Sequence, residues 1–106
     1  MRTCYTEPCG AHQIAIADLA QPGELHNGWT ITRINVPINY RDQRLGSKLL
    51  RRICDDADQS RSTLYLEISP SGRLNYEELK AWYERYGFKL QASTGYYKRS
   101  PKKEQP

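Results

Sequence analysis

The sequence is poor in cysteine and contains no long run of apolar residues. Cys4, Cys9 and Cys54 are odd in number and lack the spacing of a metal site, since no pair of histidines accompanies the one close pair. We therefore expect reduced thiols and no bound metal. The N-terminal segment contains no apolar core of a signal peptide, and no segment is long enough to cross a bilayer. These absences predict a soluble, cytoplasmic protein that does not enter a membrane.

Positive charge is in small excess, and apolar content is modest. The formal charge is +4, and most of that excess follows residue 97. Acidic residues are interspersed among the basic ones, which argues against a nucleic-acid binder. Hydrophobic residues make up 38% of 106 residues, and eight tyrosines supply much of that share. We expect one domain over residues 1–99 with a tyrosine-rich core, followed by a disordered basic tail over residues 100–106.

The pattern of apolar residues predicts strands and helices in alternation. Breakers such as Pro22 with Gly23, and Ser69 with Pro70, separate the predicted elements. Strands are predicted at residues 4–6, 14–20, 29–36, 63–68, 88–90 and 95–99, and helices at residues 45–60 and 75–86. The strand, helix, strand order from residue 29 to residue 68 implies a right-handed crossover between parallel neighbours. The expected fold class is α/β, of the α+β kind.

The first predicted helix carries its charges in the order opposite to the one that its dipole favours. Its apolar stripe consists of Leu45, Leu49, Ile53 and Ala57. Basic residues crowd its first half, at Arg44, Lys48, Arg51 and Arg52. Acidic residues crowd its end, at Asp55, Asp56 and Asp58. A phosphate bound at the helix start would explain this order, and a solvated basic face is the alternative.

The second predicted helix obeys the dipole rule that the first one breaks. Asn75 suits its N-cap, Glu77 and Glu78 fill its first turn, and Gly87 suits its stop. The contrast favours a functional reason for the charges of the first helix.

Two segments together resemble a known enzyme family. The stretch VPINYRDQRLGSKLL, residues 36–50, resembles the acetyl-CoA signature of the GCN5-related N-acetyltransferases, in which a strand leads through a short turn into a helix. The stretch AWYERYGFKL, residues 81–90, resembles the second signature of the same family. The resemblance implies a mixed, mostly antiparallel sheet with a central, splayed pair of parallel strands and two main helices. The helices that typical members carry near the N-terminus are missing here.

The resemblance also implies a coenzyme site and an activity. The cofactor is acetyl-CoA, and the acceptor is a primary amine. Backbone groups of Ile34, Asn35 and Val36 are expected to bind the pantetheine arm. The turn expected to bind the diphosphate consists of Arg41, Asp42, Gln43, Arg44, Leu45, Gly46, Ser47 and Lys48. Asn75 is included in the site, although it lies one residue from the family's asparagine and also suits a helix cap.

Two side chains are expected to carry the chemistry. Tyr83 matches the family's tyrosine and is the expected acid for the leaving thiolate, although its helical stripe also suits packing. Glu67, late on its strand, is the expected base for the acceptor amine. Asp18 and Glu24 are alternatives for that base, and each carboxylate also suits an ordinary surface position. The two histidines lie outside both signatures, so no role is assigned to them.

Departures from the family leave other hypotheses open. Arg44 stands where the family usually has a glycine, so either the turn differs or the side chain reaches a phosphate.

The missing helices predict an open acceptor site that suits a protein or peptide amine, or one completed by a second copy of the chain. Small acetyltransferases of this size also resemble some phage or mobile-element proteins that modify a host or CRISPR protein. A degenerate binding or interaction module of the same fold is the main alternative.

Overall fold

The computed structural model describes residues 1–37, 39–40, 44–70 and 74–102. The six strands are β1 (Cys4–Pro8), β2 (Ile14–Ala20), β3 (Trp29–Asn35), β4 (Leu64–Leu66), β5 (Lys89–Leu90) and β6 (Tyr97–Arg99). The two helices are α1 (Leu45–Gln59) and α2 (Tyr76–Glu84). The strands form one sheet in the order β1-β2-β3-β4-β6-β5, and β3 with β4 is its parallel pair. This architecture confirms the predicted fold class. Neither helix is long and apolar enough to span a membrane.

The two parallel strands separate soon after they meet. Trp29, Thr30 and Ile31 pair with β4, which ends at Leu66. The rest of β3 follows β2 instead, and the register between these two strands shifts at Asp18 and Leu19. That shift leaves one extra residue, Thr32, on β3. Pairing with β4 stops at Ile31 while β3 continues to Asn35, so the predicted splay is present.

Both helices lie on the same face of the sheet. Tyr97 and Arg99 point to one face because they lie two residues apart on β6. The Tyr97 hydroxyl lies 2.8 Å from that of Tyr76 on α2, whereas Arg99 contacts Asp58 on α1. Among the described residues, no helix covers the opposite face.

The core lies between this face and α1. The predicted helical stripe is buried, together with Leu50 and Cys54 beside it. In β2 the alanines Ala15 and Ala17 point inward, and the larger Ile14 is 50% exposed. Small residues at these positions let α1 approach the sheet closely. Packing in the core thus explains all six buried side chains of α1, which are the four of the stripe and the two beside it.

Arg99 is part of the core and not of a solvated tail. Its guanidinium donates to both carboxylate oxygens of Asp58 at 2.9 and 3.0 Å, and its Nε donates to the Tyr86 carbonyl at 2.6 Å. The backbone N–H of Lys102 also donates to Asp58, at 2.9 Å. The chain from Tyr97 to Lys102 is therefore attached to the end of α1. Residues 103–106 of the predicted tail lie outside the described residues.

Candidate active site

Helix α1 begins without a cap. Its first internal hydrogen bond runs from Lys48 N–H to the Arg44 carbonyl at 3.1 Å, and no side chain caps the helix. Leu45, Gly46 and Ser47 precede that bond, and their backbone N–H groups have no acceptor among the described residues. The first turn also lacks an acidic residue. These three N–H groups and the positive end of the dipole make this helix start suited to an anion.

The Lys48 backbone N–H, which was predicted to bind the diphosphate, instead donates to the Arg44 carbonyl. The exposed Lys48 side chain is the group of this residue that could reach a phosphate. Arg41, Asp42 and Gln43, which precede the helix in the predicted turn, lie outside the described residues.

Arg44 adopts the backbone conformation that glycine usually supplies. Its φ is 57° and its ψ is 27°, in the left-handed region, and its side chain is exposed. An L-residue is strained there by about 1–2 kcal/mol. Arg44 thus has a glycine-like backbone and an exposed side chain. Both explanations of this departure stay predictions, because residues 41–43 of the turn lie outside the described residues.

The splay opens a cleft in front of this helix start. The cleft has a volume of about 1030 Å³ and is lined by β3, the start of α1, the end of β4 and one side of α2. Ile34 and Asn35 of β3, and Val36 just after it, line the cleft, and their binding of a pantetheine arm stays a prediction. Between Thr32 and Asn35, β3 has no neighbouring strand on this side among the described residues. Its backbone can therefore pair with an extended ligand.

Tyr83 lines the same cleft from α2. Its ring lies edge-on to Phe88, with 5.7 Å between centroids, and 4.8 Å from the ring of Trp82. Burial raises the pKa of the Tyr83 phenol to about 12. The hydroxyl makes no hydrogen bond to any other described residue. At neutral pH Tyr83 is a protonated phenol, half-buried, with its proton free to be donated to a bound group.

The predicted bases differ in their surroundings. Glu67 is exposed, follows β4 and lines the cleft, so it is the carboxylate that shares a cavity with Tyr83 and has no capping role. Asp18 is held by Arg33, with 2.6 Å between Oδ2 and the guanidinium. Glu24 is exposed in the loop between β2 and β3 and is absent from the cleft lining. The arrangement favours Glu67 over its two alternatives.

Asn75 serves α2 as its N-cap. Its side-chain oxygen accepts from Glu78 N–H at 2.9 Å, while its own N–H donates to the Glu78 carboxylate at 3.1 Å. This reciprocal pair is a capping box. Capping of α2 is therefore sufficient to explain an asparagine at position 75. Its place in the coenzyme site stays a prediction.

Two contacts, one in the site and one on the opposite face of the sheet, were not predicted from the sequence. The indole N–H of Trp82 donates to the hydroxyl of Ser47 at 3.1 Å, which joins α2 to the first turn of α1. His26 stacks on Tyr65 at 4.4 Å and meets Tyr96 edge-on at 4.2 Å, on the sheet face without helices. The sequence gives no local signal for either contact, because the partners lie far apart in the chain.

No family model matches the chain, and no curated protein matches it. Solved structures do match. The anti-CRISPR protein AcrVA5 superposes with a TM-score of 0.64 at 16% identity, over 93% of this chain and all 100% of that protein. A GNAT-family acetyltransferase from Staphylococcus aureus Mu50 superposes with a TM-score of 0.58 at 20% identity, over 83% of this chain and 60% of that one.

A third similar structure is a protein of the GNAT family from Desulfovibrio desulfuricans, with a TM-score of 0.61 and 20% identity. It covers 87% of this chain, and the chain spans 65% of its length. At such low identities the likeness concerns the fold alone. The splayed parallel pair, the order of the strands and these superpositions lead to one conclusion: the chain has the fold of the GCN5-related N-acetyltransferases.

Proposed function

We propose that the chain is an acetyl-CoA-dependent N-acetyltransferase that transfers the acetyl group directly to a primary amine. One observation carries the proposal: the uncapped, basic start of α1 and the protonated phenol of Tyr83 face a single cleft at the point where β3 leaves β4. An anion-binding helix start and a proton donor in one cleft are what a thioester of a nucleotide coenzyme requires.

The residues of the cleft fit coenzyme A in its separate parts. The N–H groups of Leu45, Gly46 and Ser47 would hold the diphosphate, with the exposed Arg44 beside them. The free side of β3 would hold the pantetheine arm as an added strand. A Cβ on Gly46 would meet the Trp82 ring at 3.6 Å, so this side of the first turn is in contact with α2. When bound, acetyl-CoA supplies an acetyl group already activated as a thioester.

The chain's own groups then move two protons. An alkylammonium with a pKa of ~10.4 is almost fully charged at neutral pH, so Glu67, directly or through water, takes its proton. Transfer would form a bond from the amine nitrogen to the acetyl carbon and break the carbon–sulfur bond, and Tyr83 would donate its proton to the leaving sulfur. The second proton, which the nitrogen loses as it becomes an amide, would restore the Tyr83 phenol through water. No cysteine is among the described residues that line the cleft, which favours direct transfer.

We further propose a protein or peptide amine, a lysine or an N-terminus, as the acceptor. Glu67 is exposed, and the sheet face opposite the helices has no covering helix among the described residues. A long substrate therefore meets no wall on that side. The similarity to an anti-CRISPR protein of the same extent supports including proteins of CRISPR systems among the acceptors to be tested. Light scattering in solution would show whether a second copy of the chain completes the acceptor side.

Calorimetric titration with acetyl-CoA tests the coenzyme, and mass spectrometry of a cell extract incubated with labelled acetyl-CoA and the protein tests the transfer. We expect saturable binding and labelled amines that a Tyr83→Phe variant labels more slowly. Binding without any labelled product would instead favour a degenerate acyl-CoA-binding module, the alternative that Arg44 raises. An absence of binding would leave only an interaction module of the same fold.

A further inference from the structure

Trp82 lies against the part of α1 that would bind an anion. Its indole N–H donates to the Ser47 hydroxyl at 3.1 Å. Two atoms of its ring lie 3.6 and 3.7 Å from the position that a Cβ on Gly46 would take. The indole therefore covers the side of the first turn of α1 and contacts it by one hydrogen bond and by packing.

The direction of that hydrogen bond determines what the Ser47 hydroxyl can do. An indole N–H can only donate, so the serine oxygen must act as the acceptor. The hydroxyl keeps one proton, and among the described residues nothing accepts it. Ser47 lies in the cleft lining, on the same turn as the backbone N–H groups of Leu45 and Gly46, which have no acceptor in the part of the chain that the structure describes. Its proton is therefore held away from Trp82 and is available to an anion at the helix start.

The other side of the indole contacts the proposed acid. The ring centroids of Trp82 and Tyr83 lie 4.8 Å apart with a tilt of 49°, and Tyr86 meets the same indole edge-on at 6.2 Å. One side chain thus touches both the helix start and the residue that would protonate the leaving thiolate. A role in packing alone would explain the aromatic ring of Trp82. It would not explain why the indole N–H donates to the Ser47 hydroxyl in the cleft.

We propose that Trp82 is a positioning residue for the diphosphate of the coenzyme, and that it acts through the Ser47 hydroxyl. The proposal rests on the proposed function, because it names the residue that orients one donor of that coenzyme site. By accepting from the indole, Ser47 presents its own proton to a phosphate oxygen, alongside the backbone N–H groups of the turn. Trp82 itself does not touch the diphosphate.

A double-mutant cycle with Trp82→Phe and Ser47→Ala tests this route. Dissociation constants for coenzyme A and for pantetheine, which lacks the diphosphate, are measured by calorimetry for the wild type, both single variants and the double variant. We expect each single variant to bind coenzyme A roughly three- to tenfold more weakly than the wild type. The double variant should lose no more affinity than the single variant that binds more weakly. Pantetheine should bind all variants with unchanged affinity. Trp29→Phe, at the other tryptophan, is the matched control and should leave both constants unchanged.

Three outcomes would overturn the inference. Multiplicative losses in the double variant would mean that Trp82 and Ser47 act separately. An equal loss for pantetheine would mean that Trp82 only shapes the cleft. An unchanged affinity in Ser47→Ala, a small substitution at a half-buried site, would remove the hydroxyl from the diphosphate site even if Trp82→Phe fails to fold. A wild-type protein that binds no coenzyme A would refute the proposed function as well, so the two failures are distinguishable.

Discussion

Arg44 and Arg61 stand at the two ends of α1, and both have left-handed backbones, with φ of 57° and 54°. Arg61 follows the C-cap, where N–H to carbonyl bonds of Arg61 to Asp58 at 3.3 Å and Ser62 to Ala57 at 2.8 Å close the helix. Glycine is the usual residue at such a helix end. Arg44 holds the corresponding strained position at the start, beside the cleft. The same residue type in the same strained conformation thus occurs once at the proposed site and once away from it.

This relationship provides a matched pair of substitutions. Arg44→Gly and Arg61→Gly should each raise the free energy of unfolding by up to about 1 kcal/mol, because each relieves the left-handed strain. Only Arg44→Gly should weaken coenzyme A binding, by roughly tenfold, since it removes a charged partner for phosphate. Urea denaturation and calorimetry measure the two effects. If both variants keep wild-type affinity, Arg44 has no contact with the coenzyme.

Tyr83→Phe should separate chemistry from binding. We expect the turnover of acetyl transfer to fall by roughly 10²- to 10⁴-fold, the usual contribution of a positioned acid, with little change in the affinity for acetyl-CoA. The pKa of about 12 also predicts that the wild-type rate shows no loss from Tyr83 ionisation below about pH 11. A variant with an unchanged rate across a pH series would show that another group protonates the thiolate.

The ion pair between Arg99 and Asp58 should matter for stability and for its response to acid. Burial would raise the pKa of Asp58, but the hydrogen bonds from Arg99 and from the Lys102 backbone outweigh that effect and lower it. The folded pKa is therefore below the unfolded value, so the stabilisation is present above about pH 4 and is lost as the pH falls through the folded pKa.

Arg99→Met tests this pair from the cationic side, because Arg99 is only 3% exposed. The substitution leaves the Asp58 carboxylate without its partner, and we expect a loss of about 3 kcal/mol or more in the free energy of unfolding at neutral pH. The difference from the wild type should shrink in acid as Asp58 becomes protonated. A difference that does not depend on pH would contradict the role of the carboxylate charge. Arg33→Met, at an exposed ion pair, is the control and should cost less than about 1 kcal/mol.

Three tyrosines should make the fold sensitive to alkali. Burial raises the pKa of Tyr5, Tyr83 and Tyr97 to about 12. The hydrogen bonds of Tyr5 to Asp56 at 2.6 Å and of Tyr97 with Tyr76 at 2.8 Å add to that rise. Between about pH 10 and pH 12 the unfolded chain loses these protons and the folded chain keeps them, so stability falls as the pH rises. Ultraviolet titration of the eight tyrosines should show a late phase that shrinks in Tyr83→Phe. A single uniform transition near pH 10 would refute the shift.

The helices were predictable because their signals are local. The apolar stripe of α1 recurs at helical spacing, and all of its members are buried as expected. Asn75 and Gly87 mark the two ends of α2, and the structure places a capping box at the first and a φ of 97° at the second. The two signatures around the turn and the tyrosine predicted the fold class, because each is a short stretch whose backbone shape depends on its own residues.

Contacts between distant parts of the chain were not predictable in the same way. Arg52 and Asp56 lie four residues apart on α1, but Arg52 donates to Glu7 at 3.1 Å and Asp56 accepts from Tyr5. The run TLYLEI suggested a longer strand than β4, which ends at Leu66 where β3 bends away. The first outcome depends on the edge strand β1, and the second on the central strand β3; a short window of sequence contains the position of neither.

The sequence by itself determined the approximate strands and helices, the basic start of α1 and the presence of a tyrosine ahead of the Gly87 stop. Only the tertiary structure decided that this start and Tyr83 share a cleft, that Trp82 bonds to Ser47, and that Arg99 is buried against Asp58. The physical reason is the range of the forces involved. Periodicity, caps and turns act over a few residues, whereas burial and hydrogen bonding between α1, α2 and the sheet act across 35 to 41 residues of chain and exist only once the core has formed.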